Sequence, residues 1–535
     1  MKKLLALIGS LLFAVSFATP AVTATKYTVN QKTLASFSAS ATGLTTLQRS
    51  QVKAAVEANP NAEKFICTGI RYVSQPMSEN IMVRKRAKAA CEYAKNLNPN
   101  LSTWYQSRPT QARSYAGKVL LTVKSPDLRS VATQFGVDSE ICKLKENSRT
   151  RALAPSASEP YSNATAFPFE PTILPIEGQI NVRLIFVDWA DSVGGSKDYE
   201  YYKEQIKMFE DFYWMASEHK LDMNVTASDQ WFRIPGSYKE FTMTQLDEAQ
   251  SGYAPKKQAF YDAAVAASDS ATDYSNTDIV FFAIPTDQSV FLHGGPHEFN
   301  WIYNGYLKTA EKDIYDIASA GDWFINNEAY EPPWVYYVHE TGHMIGIPHQ
   351  SNEDLKDGSI IHLQNPLSGY DIMANQGGAS RTINSWLRWL AGWIDDEQVI
   401  CLTEDSVTDQ YFELNPINTV EGKVESLVIK LSDTEAVVVE SRRFDEYFDR
   451  ATSNSKDGLL VYTIDATKST AQGSQALLSP RDITKYIDEK SWRTGHELDA
   501  VFFQGDSIEI GGITIEATSI GADSDLVRVY RTSSK

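Results

Sequence analysis

The chain is 535 residues with 50 Lys+Arg against 68 Asp+Glu, a formal net charge of −18 and 42% hydrophobic residues. That balance excludes a disordered or fibrous chain, and the length exceeds what a single core organises. Acidity argues against general nucleic-acid binding, and 4 cysteines are too few for a disulfide scaffold.

The chain opens Met-Lys-Lys, continues as an apolar run over 4–18 and exits through Ala21-Val22-Thr23-Ala24. This is the pattern of a secretory signal peptide over 1–24, so a secreted protein, extracellular or cell-wall associated, is expected. No later stretch reaches the roughly 18 apolar residues of a spanning helix, so no transmembrane span is expected.

Residues 25–125 carry 15 Lys/Arg against 4 Asp/Glu, a basic module joined to a strongly acidic remainder. Within it, 65–69 reads as a strand, 78–96 as a helix and 117–124 as a strand, with a further helix near 44–58. A small basic α/β domain follows from that order. Cys67 and Cys91 lie in one short region and are the expected disulfide. Cys142 and Cys401 are left open between pairing with each other and remaining free.

Residues 126–176 read as a connecting segment and a proline-rich linker, with Pro155, Pro160, Pro168, Pro171 and Pro175 among Ser, Ala and Thr. Arg149-Thr150-Arg151 within it is a candidate processing site. Over 177–400, strands at 180–187, 221–226 and 278–284 alternate with helices at 199–217 and 257–268. A mixed sheet covered by helices is expected. From 401 to 535, short alternating runs at 426–430, 436–440, 458–464 and 507–517 predict an all-β region. The fold class is thus α+β.

The chemistry concentrates in Val338-His339-Glu340-Thr341-Gly342-His343-Met344-Ile345-Gly346-Ile347-Pro348-His349. Histidines at i and i+4 stand one above the other on a helix face, at the separation two imidazoles need to share a zinc ion. Glu340 is offset by about 100° and can face a bound water as general base. Gly346 can adopt positive φ and Pro348 forbids continuation, so the chain turns and can return His349 as third ligand. Three neutral ligands would leave a fourth position for water. By chance the whole motif would occur on the order of 10⁻⁵ times in chains of this composition, which makes a coincidental surface helix a poor explanation.

The motif resembles that of the metzincin zinc endopeptidases, whose signature adds a downstream methionine turn. Asp371-Ile372-Met373-Ala374-Asn375 matches that turn. The resemblance implies a metzincin-type catalytic domain acting on protein or peptide substrates with one catalytic Zn²⁺. It also implies that Met373 forms an apolar floor beneath the imidazoles. A tyrosine two residues after the methionine serves some metzincins, but position 375 is Asn. The flanks are most similar to bacterial immune-inhibitor-A-like, M6-type metallopeptidases. That similarity covers the start of 177–400, the run Trp386-Leu387-Arg388-Trp389-Leu390-Ala391-Gly392-Trp393, Gly458 to Tyr462 and 505–513.

The basic module resembles the outer-membrane-protein-A-like wall-binding domains. Their helix carries Asn-x-x-Leu-Ser-x-x-Arg-Ala, against Glu79, Met82, Val83, Arg86 and Ala87 here, so the Asn and Ser are missing. Arg86 alone carries over, as an anion contact, and the implied partner is peptidoglycan or another anionic wall polymer. Residues 127–144 resemble the first half of a lysin motif, although a plain connecting helix explains them as well. His293-Gly294-Gly295-Pro296-His297 reads as a loop. Acidic turns at Glu353-Asp354 and Asp523-Ser524-Asp525 are where Ca²⁺ would be sought, without a complete oxygen-ligand spacing. The alternative to a peptidase is a wall-associated binding protein with an inactive peptidase-like domain.

Overall fold

The computed structural model describes residues 27–126, 136–145, 165–169, 174–242, 253–286, 306–319, 331–348, 350, 367–417, 423–481 and 500–532. Excepted within these ranges are 63, 73–76, 111–114, 446, 451–455, 469–472 and 522–523. Outside the described residues lie the expected signal peptide, Arg149-Thr150-Arg151, the first half (127–135) of the lysin-motif-like segment, the 293–297 loop, Glu353-Asp354 and His349.

The N-terminal part is β1 (Tyr27–Thr33), α1 (Thr46–Glu57), β2 (Lys64–Tyr72), α2 (Met77–Leu97), β3 (Ser102–Thr110) and β4 (Val119–Pro126). The strands form one sheet in the order β1-β4-β2-β3, with β2 and β3 parallel and the other pairs antiparallel. Thr45 and Gln48 close a capping box that starts α1. α2 buries a narrow stripe of Val83, Ala87, Ala90, Cys91 and Ala94 against the sheet. The small residues let it approach closely. A Cβ at Gly69 of β2 would meet the Val83 carbonyl oxygen at 2.1 Å, so only glycine fits there. A disulfide joins Cys67 of β2 to Cys91 of α2.

The central part contains β5 (Gly178–Asp188), α3 (Ser196–Ala216), β6 (Leu221–Arg233), α4 (Tyr253–Ser268) and β7 (Ile279–Ala283). It continues with β8 (Leu307–Lys308), β9 (Asp313–Ile314), β10 (Asp316–Ser319), α5 (Pro333–Met344) and α6 (Ser385–Leu390). Its main sheet runs β10-β7-β5-β6. Every described pair in it is parallel, where a mixed sheet was expected. Parallel strands are covered on both faces, which is why β7, Ile-Val-Phe-Phe-Ala, is apolar throughout and buried at every position. Ile180, Val182, Leu184 and Phe186 of β5 face α3 and α5, while Ile185 and Val187 face α4.

The C-terminal part holds β11 (Val399–Thr403), β12 (Gln410–Leu414), β13 (Ser426–Lys430), β14 (Glu435–Arg442) and β15 (Gly458–Asp465). It ends with β16 (Gln475–Leu478), β17 (Ser507–Ile510), β18 (Ile513–Ile520) and β19 (Asp525–Arg531). Two sheets, β11-β13-β14-β15-β16 and β12-β19-β18-β17, enclose one apolar core. The opposite face of the larger sheet, including Val428, Val438, Leu460 and Tyr462, joins the central core through Trp386, Trp389 and Trp393. The molecule is therefore mixed α+β, and its central and C-terminal parts share one core. Among the described residues no helix is long and apolar enough to cross a membrane.

Two pieces of the proline-rich segment are packed, not extended in solvent. The Trp386 indole donates to the Thr165 carbonyl at 2.6 Å and Trp393 to Ile176 at 2.9 Å. Phe167 sits edge-on to Trp386 and Trp389. Upstream, Cys142 forms a disulfide with Cys401 of β11, and the Val137 amide donates to the Cys401 carbonyl at 2.9 Å. Two disulfides suit a chain that folds in an oxidising compartment.

Candidate functional site

α5 begins at Pro333, whose fixed φ suits a first helical turn. Every residue of the helix is buried. Tyr337 stacks on Phe281 of β7 at 4.3 Å, and the Tyr213 hydroxyl of α3 donates to the Val338 carbonyl at 2.6 Å. The helix stops as its sequence requires. Gly346 has φ 95°, and the Gly346 and Ile347 amides donate back to His343 and Gly342.

His339 and His343 come together on one face, with their Nε2 atoms 3.1 Å apart. Each ring is oriented from its other nitrogen. His339 Nδ1 donates to the Ile372 carbonyl at 2.8 Å and His343 Nδ1 to the Ile347 carbonyl at 3.1 Å. In the neutral rings this leaves both Nε2 atoms as acceptors. Glu340, 7% exposed, lies between them in sequence and is turned about 100° round the helix.

Met373 is fully buried and touches the same helix. A Cβ at Gly342 would meet its Sδ at 2.7 Å and its Cε at 2.8 Å. Glycine thus lets the helix sit directly on the methionine. The turn is built by Asp371, whose carboxylate accepts from the Met373 amide at 2.7 Å. It also accepts from the Asn384 amide at 2.8 Å and the Asn384 side-chain amide at 2.7 Å. Asn384 in turn caps α6 by accepting from Leu387, and Ser385 donates to Glu440 of β14 at 2.7 Å. A polar chain therefore runs from the methionine turn to the large C-terminal sheet. Asp371, Asn384, Gly342 and Tyr213 carry no spacing signal that marks them as supports of the site; their roles exist only in three dimensions.

The expected metal set is corrected. Among the described residues no group of three or more His, Cys, Asp or Glu side chains is placed to hold a metal ion. His339 and His343 supply two nitrogens, Glu340 points round the helix, and the expected third ligand, His349, lies outside the described residues. The readings of a Zn²⁺ cofactor and of Ca²⁺ end there.

In place of the anion contact expected of Arg86, that side chain is 3% exposed and inside the N-terminal part. Its guanidinium donates to the carbonyls of Ser38, Ala39, Ala41 and Gly117. It ties the 38–41 loop to α2 and the sheet, and an anion would have to displace those carbonyls. Arg84, Lys85 and Lys88 of the same helix are exposed.

Two buried carboxyls, one of them Asp371 of the methionine turn, contribute to the pH response of the fold. Burial, with Asp278 nearby, pushes Asp316 of β10 up to about 7. Burial pushes Asp371 up to about 6, against the lowering effect of its donors. Both folded values lie above the unfolded one near 3.9, so the folded state holds the extra protons between those limits. Stability from these groups is complete below pH 4 and is lost as pH rises through 6 to 7. The thermal midpoint is expected to fall between pH 5 and pH 8, and Asp316→Asn to flatten that fall. A midpoint rising over that range would contradict the assignment.

No protein-family model matches the chain, and no curated protein matches it. Among solved structures it is similar to the OmpA-like domain of FopA1 from Francisella tularensis subsp. tularensis SCHU S4. That match has 13% identity and a TM-score of 0.16, covering 19% of this chain and 80% of that one. A score of 0.16 is too low to assign a fold or a ligand.

Proposed function

We propose that the chain is a secreted endopeptidase of the metzincin pattern, hydrolysing peptide bonds with Glu340 as general base. The observation that carries the reading is a buried catalytic-type helix seated on a methionine. His339, Glu340 and His343 share one helix, both imidazoles are oriented by carbonyls, and Met373 underlies Gly342. A carboxylate in that position can take a proton from an attacking water and deliver it to the leaving amine. One imidazole Nε2 can accept a hydrogen bond from one of the water's two protons while Glu340 takes the other. The fixed rings and the packed turn keep these groups from rearranging between steps. The test is incubation of the purified chain with denatured casein. New amino termini inside the casein sequence support the reading, and an unchanged substrate overturns it.

The same reading gives the basic module over 25–125 an anionic wall polymer as partner, on the strength of its 15 Lys/Arg against 4 Asp/Glu. Exposed Arg84, Lys85 and Lys88 supply positive charge where Arg86 does not. Full-length protein is expected to sediment with isolated peptidoglycan at low salt and to be released at several hundred millimolar salt, where the Debye length shrinks below ~5 Å. Absence from the pellet at low salt would remove the wall partner.

A further inference from the structure

We infer that cutting the chain once between 143 and 400 yields a two-chain protein in which the N-terminal module stays covalently joined to the part beyond β11, and not a released propeptide. The covalent topology decides this. Cys67–Cys91 closes 24 residues inside the N-terminal part and ties it to nothing else. Cys142–Cys401 has a sequence separation of 259 and joins the segment after β4 to β11, beyond α5 and the methionine turn. Residues 143–400 thus form one closed loop. It contains the proline-rich segment and the whole of the site formed by His339, Glu340, His343 and Met373. Hydrolysis of one peptide bond in it adds a water across a C–N bond and leaves the S–S bond intact. A break between 127 and 141 behaves oppositely and frees the module.

The bridge is protected in two ways. Both cysteines are buried, and the neighbouring chain is fastened as well. The Val137 amide bonds to the Cys401 carbonyl, Lys143 pairs with Asp396 at 2.9 Å, and the Phe167 amide donates to Leu144 at 2.7 Å. Exchange of a disulfide needs an attacking thiolate. All 4 cysteines are in disulfides, so the chain holds no thiol to start it. The basic module therefore stays attached after any single cut within 143–400. This inference does not rest on the proposed reaction and survives its failure.

The experiment uses the full chain carrying a recognition sequence for a site-specific protease between Ser156 and Ala157. After cutting, the sample is treated with iodoacetamide and denatured without reductant. One species with the mass of the uncut chain plus one water is expected, resolving into two fragments once dithiothreitol is added. The paired substitution Cys142→Ser with Cys401→Ser should give two fragments without reductant. If that variant does not accumulate, the mass of the cut wild type in denaturant still decides. Two fragments from the wild type without reductant would overturn the inference.

Discussion

Asp371→Ala is expected to destabilise the fold by about 3–5 kcal/mol and to loosen the site with it. Three donors point at this carboxylate, and the residue is fully buried. Each buried donor left without an acceptor costs about 1–3 kcal/mol, and partial relaxation keeps the sum below the maximum. The damage is directional. Met373 loses the anchor of its amide, and the Ile372 carbonyl, which orients His339, belongs to the same turn. Asn384 loses its partner at the start of α6, so the strain also reaches the tryptophan layer. Urea unfolding measures the loss as a lower midpoint at unchanged slope. A midpoint equivalent to a change under about 0.5 kcal/mol, the range of ordinary surface substitutions, would show that the turn does not depend on Asp371.

Glu340→Gln should act in the opposite way, sparing the fold and removing activity. The amide has the same shape and no charge, so burial at 7% exposure penalises it less than the carboxylate. Its far weaker basicity withdraws general-base catalysis, worth about 10²–10⁴-fold in rate. A kcat/KM lowered within that range at an unchanged unfolding midpoint is the expected pair of results. His339 and His343 keep their carbonyl partners in this variant, because neither bond involves position 340.

Much of this architecture is legible in the amino-acid order. Apolar runs announce β2, β5 and β7, and helical periodicity announces α2 and α3. His339 and His343 four residues apart, followed by Gly346 and Pro348, announce both the helix and its end. β3 is less legible, because Thr-Trp-Tyr-Gln-Ser shows no clean apolar alternation on a half-covered strand. The mixed sheet read from alternating strands and helices emerges as parallel among the described strands, because strand direction is a property of connections and not of composition. The proline-rich segment reads as an extended linker, yet Phe167 packs edge-on against Trp386 and Trp389, and the Trp386 and Trp393 indoles donate to the Thr165 and Ile176 carbonyls, all more than 200 residues away. Nothing local marks Cys142 and Cys401 as partners or Asp371 as the keystone of a turn. The triple-histidine reading likewise depended on a return of the chain to His349 that spacing alone permits but does not place.

The central claim, that this chain hydrolyses peptide bonds with Glu340 as base, is tested most directly by comparing wild type and Glu340→Gln side by side. Both are incubated with denatured casein at matched concentration and matched thermal midpoint, and new amino termini are counted over time by mass spectrometry. The account predicts internal cleavage by the wild type and a rate lowered at least about 100-fold in the variant. Equal rates for the two proteins, or no cleavage by the wild type, would contradict it.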